Sequence, residues 1–449
     1  MIYVLLIVAL IVLIITILKY PPVSLAFFLT AGFIKATLML KFSFFRVADY
    51  TVLCAILVLI AMAYSFARSG GRIKDIISIP VGMYLFLVGI LFFGLAYTSA
   101  PNYGLEKSSR FATLTLIAFL APVVFSNNNR DIKLLMWVVL AVGITLTVGT
   151  IMAPQSIEPR PEGRAEFMES SSLGTATQIG MSLVITFVFA VMTGTPKLLR
   201  TVSLAIMPFM MAGMILTGSR GPFAGLILTC LVAIFICRRG ISKAWLPFIV
   251  GAAVVSLMVS FVKLPERVTS RIATLWESGY TAKRAVGTRT EMFVWAVRRS
   301  PERLILGHGT GAYAVDRGGQ DERSYPHNIV IELLYEQGLV GAIIISLFLW
   351  LIFRRWRQAA RFVRLYELDI GIFQAVHIAG LLFLFAFMQA LKSGDINDNR
   401  FMFFCAGLVL ATLNCVRRSI EDITFENEPI TEEVHHLEGL EFQDTQVTY

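Results

Sequence analysis

Three side chains combine a reactive type with a setting that would hold it ready: Arg220 in Leu216-Thr217-Gly218-Ser219-Arg220-Gly221-Pro222, Arg289 in Gly287-Thr288-Arg289-Thr290-Glu291, and His327 in Tyr325-Pro326-His327-Asn328. A guanidinium grips phosphate oxygens with a two-pronged fork. At a helix start it is reinforced by free N–H groups and the positive end of the macrodipole. Pro222 suits a first helical turn, so Arg220 opens a helix. Thr288 with Glu291 three residues on reads as a capping box, which puts Arg289 in the first turn of another. Imidazole is the side chain best suited to moving a proton near neutrality. Asn328 is a good N-cap, so His327 stands at a third helix mouth, with Glu332 along the same helix to orient or charge-balance it. Two arginines and a histidine so placed would clamp a diphosphate and deprotonate a hydroxyl. Each residue also has a plainer role, since interfacial arginines snorkel and a histidine beside an N-cap can simply be hydrogen-bonded.

These residues sit in a chain built for lipid. Of 449 residues, 56% are hydrophobic and 15% charged, with mean hydropathy +0.72, whereas soluble domains carry about 25% charge. Apolar runs of membrane-crossing length recur between 2 and 416, including 2–18, 22–40, 111–125 and 244–262. They number about 12 to 13, so the fold expected is an all-α polytopic membrane protein. The first run lacks a basic leader and a cleavage site and is kept as a span. Five cysteines lie in or at the ends of apolar runs without CxxC spacing, which argues against a zinc site or a disulfide framework. The net charge of +9 is spread over short loops, where it sets topology; no nucleic-acid partner is expected.

Lys and Arg concentrate in alternate loops: 68–74, 130–133, 197–200, 238–243 and 354–364. By the positive-inside rule these face the cytoplasm. The segments 99–110, 153–172, 218–220, 263–326 and 392–400 are then outer loops. The chain divides into an N-terminal helix bundle (1–262), a long outer loop with short helices (263–337), C-terminal spans (338–416) and an acidic cytoplasmic tail (417–449) of little fixed structure. A helix from Asn328 should stop at Gly338. His308, in Gly307-His308-Gly309-Thr310-Gly311, is explained by a tight turn, and that run is no nucleotide loop because it follows no strand. Arg298, Arg299 and Arg303 suit lipid headgroups. The outer turn Lys392 to Arg400 holds Asp395, Asp398 and Arg400, residues that favour turns. Arg400 is a possible supporting group, and no metal is expected because no third acid or histidine stands beside the aspartates.

Three pieces in order, LTGSRGPFAGL (216–226), GTRTEMFVWAVRRSPERLILGHGTGAY (287–313) and HNIVIELLYEQGLVGA (327–342), resemble the O-antigen ligase and O-antigen polymerase-like membrane glycosyltransferases, which include exopolysaccharide polymerases. The resemblance implies a GT-C-like fold in the bacterial inner membrane, with its large loop and active face periplasmic. It implies metal-independent, cofactor-free inverting transfer of a glycan from undecaprenyl diphosphate to a lipid-linked glycan or lipid A-core. Arg220 and Arg289 would engage the donor diphosphate and His327 would lie at the reaction centre. Membrane lipids and polysaccharide assembly proteins are the other partners implied. Polymerase and ligase differ only in acceptor, and a protein O-glycosyltransferase is a further variant. A transporter or flippase for lipid-linked glycans is the competing class. It would spread polar groups along a central path through broken helices, whereas here charge gathers at one face.

Overall fold

The computed structural model describes residues 15–42, 44–47, 49–126, 128–152, 172–236, 280–392 and 395–427. Among them the regular elements are helices: α1 Ser24–Lys41, α2 Tyr50–Arg68, α3 Ile79–Phe93, α4 Pro101–Phe125, α5 Asn129–Met152, α6 Ser172–Val191, α7 Lys197–Leu216, α8 Arg220–Ile236, α9 Tyr280–Arg299, α10 Ala312–Gly318, α11 Ile329–Leu365, α12 Ile370–Ala390 and α13 Arg400–Asn427. Nine of the described helices are long and apolar enough to cross a membrane, and Pro21–Lys35 and Arg220–Ile236 are shorter apolar helices. The chain is thus an all-helical, multi-pass membrane protein. The run expected at 244–262, most of that at 2–18 and the acidic tail beyond Asn427 lie outside the described residues.

In lipid the backbone must satisfy itself, so helix starts are capped and breaks are covered by protein. Asp49 accepts from Thr51 N–H at 2.8 Å and Asp369 from Gly371 N–H at 2.8 Å, starting α2 and α12. Helices approach closely where a side chain is missing. A Cβ on Gly380 would lie 1.8 Å from Trp356, and one on Gly407 would lie 1.9 Å from the Phe119 carbonyl. Small residues let backbones pack this tightly where no hydrophobic effect drives helices together. The centre is aromatic: Tyr84 stacks on Phe111 (4.6 Å) and Phe119 (5.1 Å), with Phe403 edge-on to both Tyr84 and Phe111. The Tyr84 hydroxyl donates to the Phe111 carbonyl at 2.6 Å, beside the π-helical turn Phe111–Thr115 within α4.

Three sequence expectations are corrected. The segment 99–110, read as an outer loop, is helical from Pro101 and forms the first part of α4, its polar side chains dividing between a buried face and an exposed one. Arg289 is not in a first helical turn. Its helix begins at Tyr280, so the capping-box pattern at Thr288 falls inside α9. The expected stop at Gly338 is a break: that residue takes φ 64°, ψ −158° inside α11, and the helix resumes. The backbone groups freed there are taken up by the glycine run. His308 and Gly309 N–H donate to the Tyr335 and Glu336 carbonyls at 3.0 and 2.8 Å, and Leu339 N–H donates to Leu304 O at 2.8 Å.

Candidate functional site

The mouth of α11 is built by Asn328. Its Oδ1 accepts from Val330 and Ile331 N–H at 3.0 and 3.1 Å, and its Nδ2 donates to the Leu391 carbonyl at 3.1 Å. One side chain therefore caps α11 and ties it to the end of α12. The start of α8 reaches the same place: a Cβ on Gly221 would lie 3.9 Å from both Gln389 and Lys392, and one on Gly225 would lie 2.3 Å from Gln389 Nε2. Arg220, exposed at the head of α8, and His327, just before the cap, thus flank the end of α12 from two helix starts.

His327 is held at φ 59°, a left-handed conformation uncommon for a residue with a side chain, and such strain is retained where surrounding structure enforces it. Tyr325 packs edge-on to its ring at 4.7 Å. Nδ1 is buried and has no hydrogen-bond partner among the described residues. Burial and then the charge of Arg289 push the imidazole down to about 4. Arg289, exposed on α9, is therefore within electrostatic range of His327, and the ring is neutral near pH 7.

Glu332 does not turn to the imidazole as expected. It is fully buried and ion-paired with Lys107 of α4. Lys107, itself 1% exposed, also meets both oxygens of Glu336 at 2.8 and 2.7 Å. A lone buried ammonium or carboxylate would be prohibitive, so the three are viable only together. The sequence reading missed Lys107 because a lysine in a presumed loop needs no partner; the signal was Glu332 and Glu336 at i, i+4 on an apolar helix, which demands a cation.

The turn before α13 joins this group. Asp395 accepts from the Tyr103 hydroxyl at 2.8 Å and from Asn397 and Asp398 N–H, both at 2.9 Å, and lies 3.5 Å from Arg323. Burial acts to raise Asp395, but Lys107, Arg323 and these hydrogen bonds outweigh it and hold the carboxyl below its usual range. Arg323 also pairs with Asp398. Asp321 accepts from Asn102 and Tyr103 N–H at 2.9 Å each, capping α4 from a distant segment. The stretch from α10 to His327 is thereby pinned to α4 and to the 395–399 turn. Arg400, at the head of α13, lies over the Phe28 ring at 5.3 Å.

Other residues have structural work. His308 stacks on Tyr335 at 4.3 Å and 5°. Arg299 lies over Trp295 and 3.6 Å from Glu302. Among the described residues no three His, Cys, Asp or Glu side chains are grouped as metal ligands. The arrangement offers two exposed guanidiniums, Arg289 within electrostatic range of His327 and Arg220 at the other helix start beside the end of α12, and a neutral imidazole whose buried Nδ1 has no hydrogen-bond partner among the described residues.

No curated protein matches the chain. Residues 205–346 match the family described as O-antigen ligase, a stretch that runs from within α7 into α11 and contains Arg220, Arg289, His327 and Glu332. The match lies over all three sequence pieces that resemble this family and makes that segment similar to the O-antigen ligase domain.

Proposed function

We propose that the protein transfers a glycan from undecaprenyl diphosphate to an acceptor hydroxyl at the periplasmic face of the inner membrane, with inversion and without a metal. The observation that carries this reading is the strained, half-buried His327 at the α11 mouth, within electrostatic range of Arg289 and inside the segment that matches the O-antigen ligase family. Arg220 and Arg289 would bind the donor diphosphate. The acceptor oxygen attacks the anomeric carbon, the bond from that carbon to the diphosphate oxygen breaks, and its electron pair leaves with the diphosphate. Negative charge grows on the leaving group, so guanidiniums fixed beforehand stabilise the transition state more than the ground state. The acceptor proton passes to His327. Bound diphosphate would offset the Arg289 charge that depresses the imidazole, making it a better base in the presence of its substrate.

The buried Lys107 group and Arg400 support the site from behind. Residues 1–262 and 338–416 would form the membrane bundle, 263–337 the periplasmic part and 417–449 a cytoplasmic tail. The acceptor is either another lipid-linked glycan or lipid A-core. Deletion of the gene, followed by electrophoresis of surface and lipid-linked glycans, tests the reading. Single repeat units without long chains mean a polymerase, and long lipid-linked chains without transfer mean a ligase. Unchanged polymer and unchanged transfer would rule out both. Complementation should fail with Arg220→Gln, Arg289→Gln or His327→Gln.

A further inference from the structure

The turn between α9 and α10 is polar except for three consecutive apolar side chains that point outward. Leu304 is 44% exposed, Ile305 68% and Leu306 49%. Their backbone is held on both sides. The Leu304 and Ile305 carbonyls accept from Leu339 and Val340 N–H at 2.8 and 3.3 Å, across the break in α11, and the Leu306 carbonyl accepts from the Tyr97 hydroxyl at 2.6 Å. The approach is close enough that a Cβ on Gly338 would lie 2.3 Å from the Ile305 carbonyl oxygen.

The height of this strip follows from α11. Before the break the helix buries Glu332, Glu336 and Gln337. From Leu339 onward it is apolar and presents Leu339, Ile343, Leu347 and Trp350 outward, spaced to form one stripe on one helix face. Phe86 and Phe93 are exposed on α3, which packs against α11. On spans of this composition such side chains face lipid. The strip is hydrogen-bonded to the first residues after the break, so it continues the lipid-facing surface at its polar end. An exposed apolar patch rimmed by polar groups marks an interaction surface. Tyr97 is of a type enriched at the membrane–water boundary, and the exposed Arg303 can keep its charged head in water while its stem lies on apolar surface.

Tyr97 and residues 303–307 line one open groove of about 400 Å³. Its lining is apolar apart from the Arg303 guanidinium and the Tyr97 hydroxyl, which is already engaged. We propose that this groove seats an acyl chain of an anionic membrane phospholipid, with Arg303 on the lipid phosphate, and that residues 303–307 are an interfacial anchor within a segment otherwise assigned to a loop. A guanidinium fork matches phosphate. The groove stands apart from the candidate site: it opens beside α3 and the break, about 15 Å along α11 from Ile329 at 1.5 Å per residue, whereas Arg220 and His327 flank the end of α12. The anchor requires only that α11 span a membrane, whatever reaction the protein catalyses. Through the turn Ser300–Arg303 it holds the end of α9, the helix that carries Arg289.

The test places a nitroxide at Ile305→Cys in the full-length protein lacking its native cysteines, in nanodiscs of phosphatidylcholine and phosphatidylglycerol. Spin relaxation by oxygen, which concentrates in lipid, is compared with relaxation by an aqueous nickel chelate. Ile343→Cys on the lipid stripe and Glu322→Cys in the loop give the two limits. Position 305 should match Ile343, with oxygen dominant. Native mass spectrometry of the unlabelled protein should show phosphatidylglycerol binding about tenfold weaker in Arg303→Gln, the loss of one charge-assisted hydrogen bond. Both side chains are exposed, so both variants should keep the wild-type thermal midpoint. Dominance of the nickel chelate at 305 would put the strip in water and overturn the anchor. Exclusion of both reagents would mean that protein covers it, a second copy or another chain, and would overturn a lipid occupant. Unchanged phosphatidylglycerol binding in Arg303→Gln would overturn the phosphate contact. Displacement of phosphatidylglycerol by undecaprenyl diphosphate at equal concentration would overturn the phospholipid as occupant and leave the candidate site as it stands.

Discussion

At the scale of single residues, His327 and Arg289 are coupled in a way a rate measurement can read. Burial and the guanidinium both favour the neutral imidazole, so His327 titrates at about 4 in the free protein, below its ordinary value of about 6.5. If the neutral ring accepts the acceptor proton, activity is present above that pKa and lost as pH falls through it. Removing the positive charge removes one of the two depressing causes. Arg289→Gln should therefore move the acid limb of kcat/KM upward, toward the ordinary imidazole value, in addition to weakening donor binding. An acid limb that stays in place in this variant would separate His327 from Arg289 or from the proton transfer. His327 and Arg289 were legible in the sequence by chemical type. Their coupling was not, because it depends on α9 passing the α11 mouth, and the local pattern at Thr288 suggested a different helix start.

At the scale of elements, α4 and α11 are joined by the Lys107, Glu332 and Glu336 group. One ammonium faces two carboxylates, so the two acids are not equivalent to the one base. Lys107→Met leaves both carboxylates buried and unpaired, a loss of about 3–5 kcal/mol for breaking a buried pair. Glu332→Gln leaves a one-to-one pair between Lys107 and Glu336 and should be milder. The variant Lys107→Met/Glu332→Gln/Glu336→Gln, with all three charges removed, should recover much of the stability lost in Lys107→Met. Thermal midpoints of the purified proteins in one detergent check this order. A Lys107→Met protein as stable as the wild type would show that the charges are hydrated. Capping was the part of this architecture most legible beforehand, as Asn328 shows, because a cap is local in sequence. The broken helix at Gly338 was half legible: a glycine marks where a helix can stop, but its continuation depends on residues 304–309 accepting the freed groups.

At the scale of the whole molecule, hydropathy made the membrane fold legible and charge suggested its orientation. Contacts far apart in sequence add a physical basis for two unlike ends. One end gathers the α8 and α11 starts, the end of α12 and the 395–399 turn. Near the far end of α13, Arg418 pairs with Asp75 and donates to Ser126 O at 2.8 Å, while Asn414 Nδ2 donates to Asp75 O at 2.9 Å. Those partners adjoin basic loops 68–74 and 130–133, which the positive-inside rule assigns to the cytoplasm. A cytoplasmic location for those loops would put the α8 and α11 starts on the opposite side, since α13 connects the two ends. Single cysteines at Lys392 and Arg323, in a background lacking the native cysteines, should react with a membrane-impermeant maleimide on intact cells whose outer membrane has been permeabilised. Cysteines at Arg361 and Glu367 should react only after the inner membrane is opened. Labelling of Arg361→Cys before lysis would invert the topology and separate the candidate site from a periplasmic donor.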